Sequence, residues 1–468
     1  MPNQCLLLAL SILPTALVAQ ITFERTHGGP DTDIGFQVQQ TSDGGYALFG
    51  VTWNNTAGSA DMLLMRTDAS GNELWSRTYG GVNLDMGYGG RQTADGGYVL
   101  CGMFGGFGTD SLTLIRTDAQ GDLLWTGHYP GALGRDIGYS VLETGDGGFT
   151  VCGFTEGTGV AEDALLLHVD AAGSLQWART LDLAASEVAW DLVATSDGGY
   201  AMVVNSFQVG DVNGDPVLVR CNAQGDTLWT RRYAIPGADE THGLAVTLDG
   251  GYILAGGNGY PDRDLVLLRA DAQGNELWRQ EWVTAWDEMA HGVQAMDDGG
   301  FIGAGRTAAQ QPGQVALYLF RTDAVGTLIW ERTIERGLIC QANGLDRTDD
   351  GGVVVIGYTT DTLGGGSPTD IFLAKTDGAG YTSMGPMDDT VEDLIIGPNP
   401  AADRTTLKLP NGASWQVNIL GTDGRSVAEL ATVEQQTDLD VADWSPGVYL
   451  VRAMSGGRIR MTRLAVEH

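Results

Sequence analysis

An all-β protein, made of a seven-bladed β-propeller and a small C-terminal β-sandwich, is the fold that the sequence predicts. The 468 residues exceed what one compact core usually holds. Gly accounts for 69 residues and charged residues for only 18%, a composition that favours short strands and tight turns. A unit of about 50 residues also recurs seven times, which is typical of repeat architectures.

Two turns and a tryptophan mark the repeat. Asp-Gly-Gly begins at Asp43, Asp95, Asp146, Asp197, Asp249, Asp298 and Asp350. A second turn, "TDASG" at residues 67–71 or a relative of it, follows each of them. Four residues after its glycine comes Trp75, Trp125, Trp177, Trp229, Trp278 or Trp330, and in the seventh copy Met384.

The first copy shows why each unit should form a four-stranded sheet. "IGFQVQQT" and "YALFGVTW" are strand-like and flank "SDGG", a hairpin turn in which glycine supplies a positive φ. "DMLLMRT" and "ELWSRTYGG" flank the second turn in the same way. Seven units of four antiparallel strands predict a seven-bladed propeller.

The last copy lacks a fourth strand after Gly380. Residues 21–29, "ITFERTHGG", resemble the fourth strand of the other copies, with Phe23 in the place of tryptophan. We therefore expect the N-terminal segment to complete the last blade, because closure removes an exposed sheet edge.

Residues 5–18 form an apolar run that is short for a membrane span, and no other 18-residue apolar stretch follows. Residues 1–19 are therefore predicted to be a secretory signal peptide, although no Lys or Arg precedes the run. A lipoprotein signal is disfavoured because Cys5 precedes the apolar run instead of following it. The mature chain would begin near Gln20 and have no transmembrane segment.

Net charge and cysteine content exclude several classes of partner. The formal charge of −33 disfavours binding to nucleic acid or to an anionic membrane and favours cations or basic partners. Cys101, Cys152, Cys221 and Cys340 have no CxxC spacing, so a zinc site is not predicted. Cys101 and Cys152 occupy equivalent positions and are predicted to be buried free thiols, with a disulfide as the alternative.

The repeats resemble those of secreted bacterial seven-bladed propellers with Asp-Gly-Gly-Tyr and Gly-x-x-x-Trp motifs. The resemblance covers about residues 21–384, and the propeller domain is assigned to 20–384. "TDASGNELW" also resembles the tryptophan-docking motif of quinoprotein dehydrogenases. The sequence lacks the eight blades and the vicinal cysteine pair of the catalytic quinoproteins, so a bound quinone is not expected.

A linker at 385–393 precedes a second domain at 394–468, where alternating apolar residues and glycine turns predict a β-sandwich. Pro398-Asn399-Pro400-Ala401, Asp423-Gly424-Arg425, Gly447–Val451 and the strand at Arg463–Val466 closely resemble the C-terminal sorting domain of type IX secretion cargo. This resemblance implies the type IX secretion machinery as a partner and a secreted or cell-surface location. An ordinary accessory sandwich is the alternative.

Each third strand ends in a basic residue, to which a structural role beside the turn carboxylates of Asp43, Asp68 and their equivalents is assigned. The residues are Arg66, Arg116, His168, Arg220, Arg269, Arg321 and Lys375.

Ten residues before each Asp-Gly-Gly lies an acid in six copies and Cys340 in the seventh. These collar acids are Asp33, Asp85, Asp136, Glu187, Asp239 and Glu288. Three residues later come the channel-ring residues Phe36, Tyr88, Tyr139, Trp190, His242, His291 and Asn343. Both sets are predicted to border one mouth of the central channel and to bind a ligand or a cation such as Ca²⁺. Alternatively, each acid caps the amides of its own loop.

Asp211, Asn213 and Asp215 resemble the start of a calcium loop, but Asn222 replaces the glutamate that should close it. A decorated blade loop is the preferred interpretation. Catalytic signatures such as HExxH, GxSxG or a Walker loop are absent from the sequence. The leading hypothesis is therefore a binding or adhesion propeller that recognises a glycan or a surface protein. The alternatives are a secreted glycan-active or quinoprotein-like enzyme and a purely structural surface component.

Overall fold

The computed structural model describes residues 21–467 apart from short segments. These are 55–58, 106–109, 130–134, 157–160, 184–185, 208–213, 235–238, 260–262, 285, 309–313, 361–368, 383–394, 410–414, 421–425, 434–435 and 456–457. The predicted signal peptide, the predicted linker and Met384 lie outside the described residues. The chain divides into two compact units, Met1–Ser383 and Met384–His468.

The described part of the first unit forms seven antiparallel four-stranded sheets, which confirms the predicted seven-bladed propeller. The strands of each blade are given from the innermost outwards. Blade 1 is β2 (Asp33–Gln40), β3 (Tyr46–Thr52), β4 (Asp61–Thr67) and β5 (Glu73–Tyr79), and blade 2 is β6 (Met86–Gln92), β7 (Tyr98–Phe104), β8 (Ser111–Thr117) and β9 (Leu123–Tyr129). Blade 3 is β10 (Asp136–Glu143), β11 (Phe149–Glu156), β12 (Glu162–Val169) and β13 (Leu175–Leu181), and blade 4 is β14 (Ser186–Ala194), β15 (Tyr200–Phe207), β16 (Gly214–Cys221) and β17 (Thr227–Arg232). Blade 5 is β18 (Asp239–Val246), β19 (Tyr252–Asn258), β20 (Asp264–Ala270) and β21 (Glu276–Trp282), and blade 6 is β22 (Glu288–Ala295), β23 (Phe301–Thr307), β24 (Ala316–Thr322) and β25 (Leu328–Ile334). Blade 7 is β26 (Ile339–Arg347), β27 (Val353–Thr360), β28 (Thr369–Thr376) and, as its outermost strand, β1 (Phe23–His27).

The N-terminal strand closes the last blade, as predicted. β1 pairs with β28 and places Phe23 opposite Lys375, just as Trp75 lies opposite Arg66 in blade 1. Phe23 is buried. A Cβ added to Gly71 of blade 1 would lie 2.4 Å from the Phe23 ring, so this aromatic side chain packs from blade 7 onto blade 1.

The same packing links the other blades. The Trp75 ring lies where a Cβ on Gly121 would come within 2.8 Å of it. Gly121 has a φ of 78°, in the left-handed region that favours glycine, and any side chain there would also collide with the ring. The Gly-x-x-x-Trp motif is therefore an inter-blade contact: the glycine of one blade receives the aromatic ring of the blade before it.

The basic residues of the third strands pair with the Asp-Gly-Gly turns in all seven blades. Arg66 Nη2 donates to both Asp43 carboxylate oxygens, at 2.9 and 2.7 Å. Its Nη1 donates to the Tyr46 carbonyl at 2.6 Å. Asp68 instead accepts from the Ser70 and Asn72 amides of its own turn, at 2.8 and 2.9 Å. The predicted structural role is confirmed, but the partner is the Asp43 series and not the Asp68 series.

All four cysteines of the propeller are buried, and Cys101 and Cys152 are thiols without a disulfide, so the prediction of buried thiols is confirmed. Burial raises the pKa of the Cys101 and Cys152 thiols. A buried thiol with a raised pKa is unreactive, because the thiolate is the nucleophile.

The second unit contains two small sheets, in agreement with the predicted sandwich. One sheet is β29 (Ile395–Gly397), β30 (Arg404–Lys408) and β33 (Gln436–Asp440); the other, in spatial order, is β32 (Ser426–Val433), β31 (Trp415–Leu420), β34 (Gly447–Ser455) and β35 (Arg458–Val466). Leu407 and Leu439 from the first sheet share one buried core with Ile419 and Val451 from the second. Among the described residues, no helix is long and apolar enough to cross a membrane.

Candidate functional site

The collar acids lie within one residue of the start of the innermost strands. The five whose side chains are described are at most 5% exposed: Asp33, Asp85, Asp136, Glu187 and Glu288. Asp239 begins β18, but its side chain lies outside the described part of the structure.

Each of four collar acids accepts hydrogen bonds within its own stretch of chain or blade. Asp33 accepts from the Gly29 amide at 3.0 Å, and Asp85 accepts from the Gly81 amide at 2.6 Å. In the same way, Glu187 accepts from the Ser206 hydroxyl at 3.0 Å and Glu288 from Thr307 at 2.8 Å. The Asp33 and Asp85 contacts are those that the capping alternative describes, whereas Glu187 and Glu288 accept from hydroxyl groups of the adjacent strand.

The channel-ring residues have a shared backbone cause for their position. In every blade the pairing of the innermost strand with the next one shifts by one residue, and the residue in the bulge is the channel-ring residue. In β2, for example, Gly35 and Gln37 are paired and Phe36 is the extra residue between them. A β-bulge re-aims a side chain, and here it turns seven equivalent side chains towards the axis.

The seven side chains form a closed circle of contacts. Successive ring centroids lie 4.2 to 5.5 Å apart along the series Phe36, Tyr88, Tyr139, Trp190, His242 and His291. His291 Nδ1 lies 2.6 Å from the Ala342 carbonyl, and Asn343 donates to the Gly35 carbonyl at 2.8 Å. These two bonds join blades 6, 7 and 1 and complete the ring.

The channel ring carries no charge at neutral pH. Burial lowers the pKa of His291 to about 4, and burial together with His291 lowers the pKa of His242 well below its usual value. Burial raises the pKa of Tyr88 to about 12. Both imidazoles and the phenol are therefore neutral, so the ring offers aromatic faces and neutral hydrogen-bonding groups.

A cavity of about 470 Å³ occupies the channel. It is lined by six of the channel-ring residues and by the residues that follow them on the innermost strands, towards the Asp-Gly-Gly turns. None of the collar acids with described side chains lines it. The predicted site is thus divided: the aromatic ring faces the cavity, whereas the acids lie within the junctions between blades.

Three charged residues line the cavity and do not belong to the predicted site: Arg91, Asp191 and Arg347. Asp191, the residue after Trp190, accepts from Ser140 Oγ and from the Leu192 and Leu244 amides, at 2.8 to 3.1 Å. Burial raises its pKa to about 6.

Arg91, three residues after Tyr88, also lines the cavity. Its Nε atom is buried and has no hydrogen-bond partner among the described residues. Burial lowers the pKa of Arg91, and the charges of Asp191 and Asp346 act in the opposite direction. A comparison of the innermost strands with one another could have found Arg91, because the equivalent positions hold no other basic residue: Gln39, Leu142, Val193, Ala245, Gln294 and Asp346.

The calcium-loop interpretation receives no support from the residues that are described. Asp211 and Asn213 lie outside them, and Asp215 forms an ion pair with Arg232 at 3.1 Å.

The second unit can be assigned by comparison. Residues 396–467 match the family model of the secretion system C-terminal sorting domain. In the structure Ala401 donates to the Ala465 carbonyl at 2.8 Å, and the Asn399 side chain accepts from the Ala465 amide at 2.8 Å. The Pro-Asn-Pro-Ala motif is thus fixed against the terminal strand. The chain is a β-propeller protein with a type IX secretion sorting domain, and it is secreted or displayed at the cell surface.

Solved structures with similar folds share little sequence with this chain. PorZ, a surface component of the type IX secretion system of Porphyromonas gingivalis, is 14% identical with a TM-score of 0.47; the match covers 94% of this chain and 60% of that one. The chain thus spans less than two thirds of PorZ. The propeller domain of the Trilobed protease from Pyrococcus furiosus is 12% identical with a TM-score of 0.43, covering 77% of this chain and 99% of that one. Chaetomium thermophilum Sqt1, bound to the N-terminus of ribosomal protein L10, is 12% identical with a TM-score of 0.43, covering 82% and 95%. No curated protein matches the chain.

Proposed function

We propose that the protein is a binding propeller, exported by type IX secretion, that recognises a small polar ligand in its central channel. The observation that carries this proposal is the cavity of about 470 Å³ bordered by the channel ring and by Arg91. Its volume lies within the range of about 300–1,000 Å³ of ligand pockets. Its lining combines aromatic faces with a few convergent polar groups, as such pockets do.

Arg91 gives the cavity its binding potential. A buried polar group without a partner costs about 1–3 kcal/mol, and a ligand that accepts a hydrogen bond from Nε would recover this energy. Asp191 and Ser140 add an acceptor and a hydroxyl on the same wall. A sugar unit of a surface glycan supplies the hydroxyl groups that these residues and the aromatic faces of the ring require. We therefore favour a glycan over a surface protein as the ligand.

The secreted-enzyme alternative requires groups that could perform chemistry in the cavity. Asp191 is the only carboxylate that lines the cavity in the described part of the chain. The collar acids Asp85 and Asp136, which could serve as an acid pair, are buried within the blade junctions. The absence of a second cavity carboxylate supports binding over glycoside hydrolysis, which usually employs two.

The proposal is tested by screening the full mature chain on an array of neutral and acidic glycans and titrating each hit by calorimetry. Arg91→Gln should weaken binding about tenfold or more, because one hydrogen bond from a charged donor is lost. Arg77→Gln is the matched control, because Arg77 lies on the outer strand β5 with a side chain 45% exposed, and it should leave the affinity unchanged.

Two results would contradict the proposal. Equal glycan affinity in Arg91→Gln and the parent would place the ligand outside the channel. Turnover of a bound glycan, abolished by Asp191→Asn, would replace the binding function with the enzyme alternative.

A further inference from the structure

Carboxylates meet in pairs where one blade ends and the next begins. A Cβ added to Gly80 would lie 2.1 Å from Oδ1 of Asp61, on the third strand of blade 1, and 2.9 Å from Oδ2 of Asp85, the collar acid of blade 2. The same arrangement surrounds Gly28, where Asp370 and Asp33 oxygens lie at 2.0 and 3.0 Å. Glycine leaves room for the two acids at both junctions.

The junction between blades 3 and 4 holds a third carboxylate. Its pair is Asp163 and Glu187. Leu181 pairs with Ala164 as Tyr79 pairs with Met62, so the residue that corresponds to Gly80 is Asp182. Oxygen atoms of Asp163, Asp182 and Glu187 all lie within 4.8 Å of one another. An acid thus occupies the position where the other two junctions have glycine.

Glu187 points an unsatisfied oxygen atom into this cluster. Its side chain is 0% exposed, and the Ser206 hydroxyl donates to Oε1 at 3.0 Å. Oε2 is buried and has no hydrogen-bond partner among the described residues. The Ser206 hydroxyl and the Leu183 amide act to lower the pKa of Glu187. Burial, Asp182 and Asp163 all raise the pKa of Glu187. The three acids therefore repel one another in a site that lacks solvent at its base.

Three other junctions supply their own positive charge. Arg135 lies 3.8 Å from Asp110 at the junction of blades 2 and 3, and Arg232 lies 3.1 Å from Asp215 on the third strand of blade 4. Arg306 pairs at 2.8 Å with Asp287, the neighbour of Glu288. No ion pair within 4.0 Å is formed by Asp163, Asp182 or Glu187 with any described basic residue.

We propose that Asp163, Asp182 and Glu187 bind a calcium ion that takes the place of the arginine found at three of the other junctions. All three ligands are carboxylates, which suits a hard cation, and Zn²⁺ would require His or Cys for high affinity. Ca²⁺ coordinates oxygen at about 2.3–2.6 Å, so ligands on opposite sides of the ion lie about 4.6–5.2 Å apart. Oxygens within 4.8 Å of one another match this spacing without rearrangement. Asp182 is exposed, so the site is open to solvent for exchange of the ion.

The test is calorimetric titration of the metal-stripped mature chain with CaCl₂. Asp182→Gly introduces the glycine that stands at the two junctions described above, Gly28 and Gly80, so the fold should tolerate it. It should remove one equivalent of bound Ca²⁺ or weaken that equivalent at least about tenfold, because affinity depends on the number of charged ligands. Glu281→Gln removes one exposed charge from the outer strand β21 and should bind Ca²⁺ like the parent.

Thermal unfolding provides a second measurement that is independent of the calorimetric titration. Ca²⁺ should raise the Tm of the parent and of Glu281→Gln, and the rise should be smaller for Asp182→Gly. The proposal is overturned if the parent binds no Ca²⁺ at millimolar concentration. It is also overturned if Asp182→Gly and Glu281→Gln show the same stoichiometry, affinity and Tm shift.

Discussion

Six of the seven blades carry repeated carboxylates at both ends, and the two sets have opposite environments. At the Asp-Gly-Gly end, every aspartate has a basic residue of its own blade, and the Thr93 hydroxyl, the Gly97 amide and Arg116 hold the pKa of Asp95 at about 2. At the other end the collar acids are buried, and desolvation raises the pKa of Asp33 and of Glu288. Repetition alone therefore does not identify a structural residue. The presence of a counter-charge within the same blade distinguishes the two ends.

The largest effect is expected from removing residues 21–29, because this segment contributes to both ends of the seventh blade. Deletion exposes the edge of β28 and the surface that Phe23 covers. Burial of Phe23 contributes about 1.5–3 kcal/mol, and each lost ladder hydrogen bond adds about 0.5–1.5 kcal/mol. The truncated protein should lose several kcal/mol of unfolding free energy in a urea titration. An unchanged midpoint would show that β1 does not close the ring.

Breaking a pair at the Asp-Gly-Gly end should rank second. Arg220 is buried and donates to the Tyr200 carbonyl at 3.1 Å as well as to Asp197. Arg220→Ala leaves buried carbonyl groups unsatisfied and should cost about 3 kcal/mol. Asp197→Asn should cost less than about 1 kcal/mol, because the Asp197 side chain is 63% exposed. Equal costs for the two variants, measured by urea unfolding, would contradict this account.

The pH dependence should sharpen the contrast between a buried acid and a paired one. Asp191 has a pKa of about 6 in the folded protein and about 4 in an unfolded chain. Because the folded state binds the proton more tightly, stability falls as pH rises from about 4 through 6, by up to about 2–3 kcal/mol. Asp191→Asn should flatten this slope when Tm is followed from pH 5 to 7 in chelator. Asp95 has the opposite effect: its contribution to stability is present at neutral pH and is lost only as pH falls from about 4 to 2.

A parallel slope in Asp191→Asn and the parent would contradict the assignment of this titration to Asp191. Asp95→Asn is the matched control, because it should leave the slope between pH 5 and 7 unchanged.

The smallest effect is expected at the other end of the blade, with the opposite sign. Asp61 is 7% exposed and its Oδ1 atom has no hydrogen-bond partner among the described residues. Burial and Asp85 raise the pKa of Asp61, because both destabilise its ionised form. Asp61→Asn should therefore stabilise the protein in chelator, measured as a higher urea midpoint at pH 7. A loss of stability would show that the charge of Asp61 is already compensated.

The blades, their number and the closing strand could be predicted from the sequence repeat, because each depends on local turn chemistry that recurs along the chain. Phe23 could be assigned since its neighbours match those of Trp75. The position of the channel ring was also accessible, from its fixed spacing to Asp-Gly-Gly. The closure of the channel ring could not be predicted, because the contact of Asn343 with Gly35 joins residues that are distant in the chain.

The sequence repeat does not reveal why the collar acids lie apart from the channel ring. A glycine at position 80 lets two acids of neighbouring blades approach, and the identity of that residue matters only after the blades are placed side by side. Asp182 was overlooked for the same reason, since it looks like an ordinary loop residue. Arg91 does not stand out among the recurring residues of the repeat, because the equivalent positions of the other blades hold no basic residue.

The order in which the ring is completed follows from the pairing of β1 with β28. The residues of β1 are synthesised early, but their partners in β28 follow only about 350 residues later. Closing so long a loop costs conformational entropy, which slows formation of the contact. The propeller ring therefore cannot close before β28 has been synthesised.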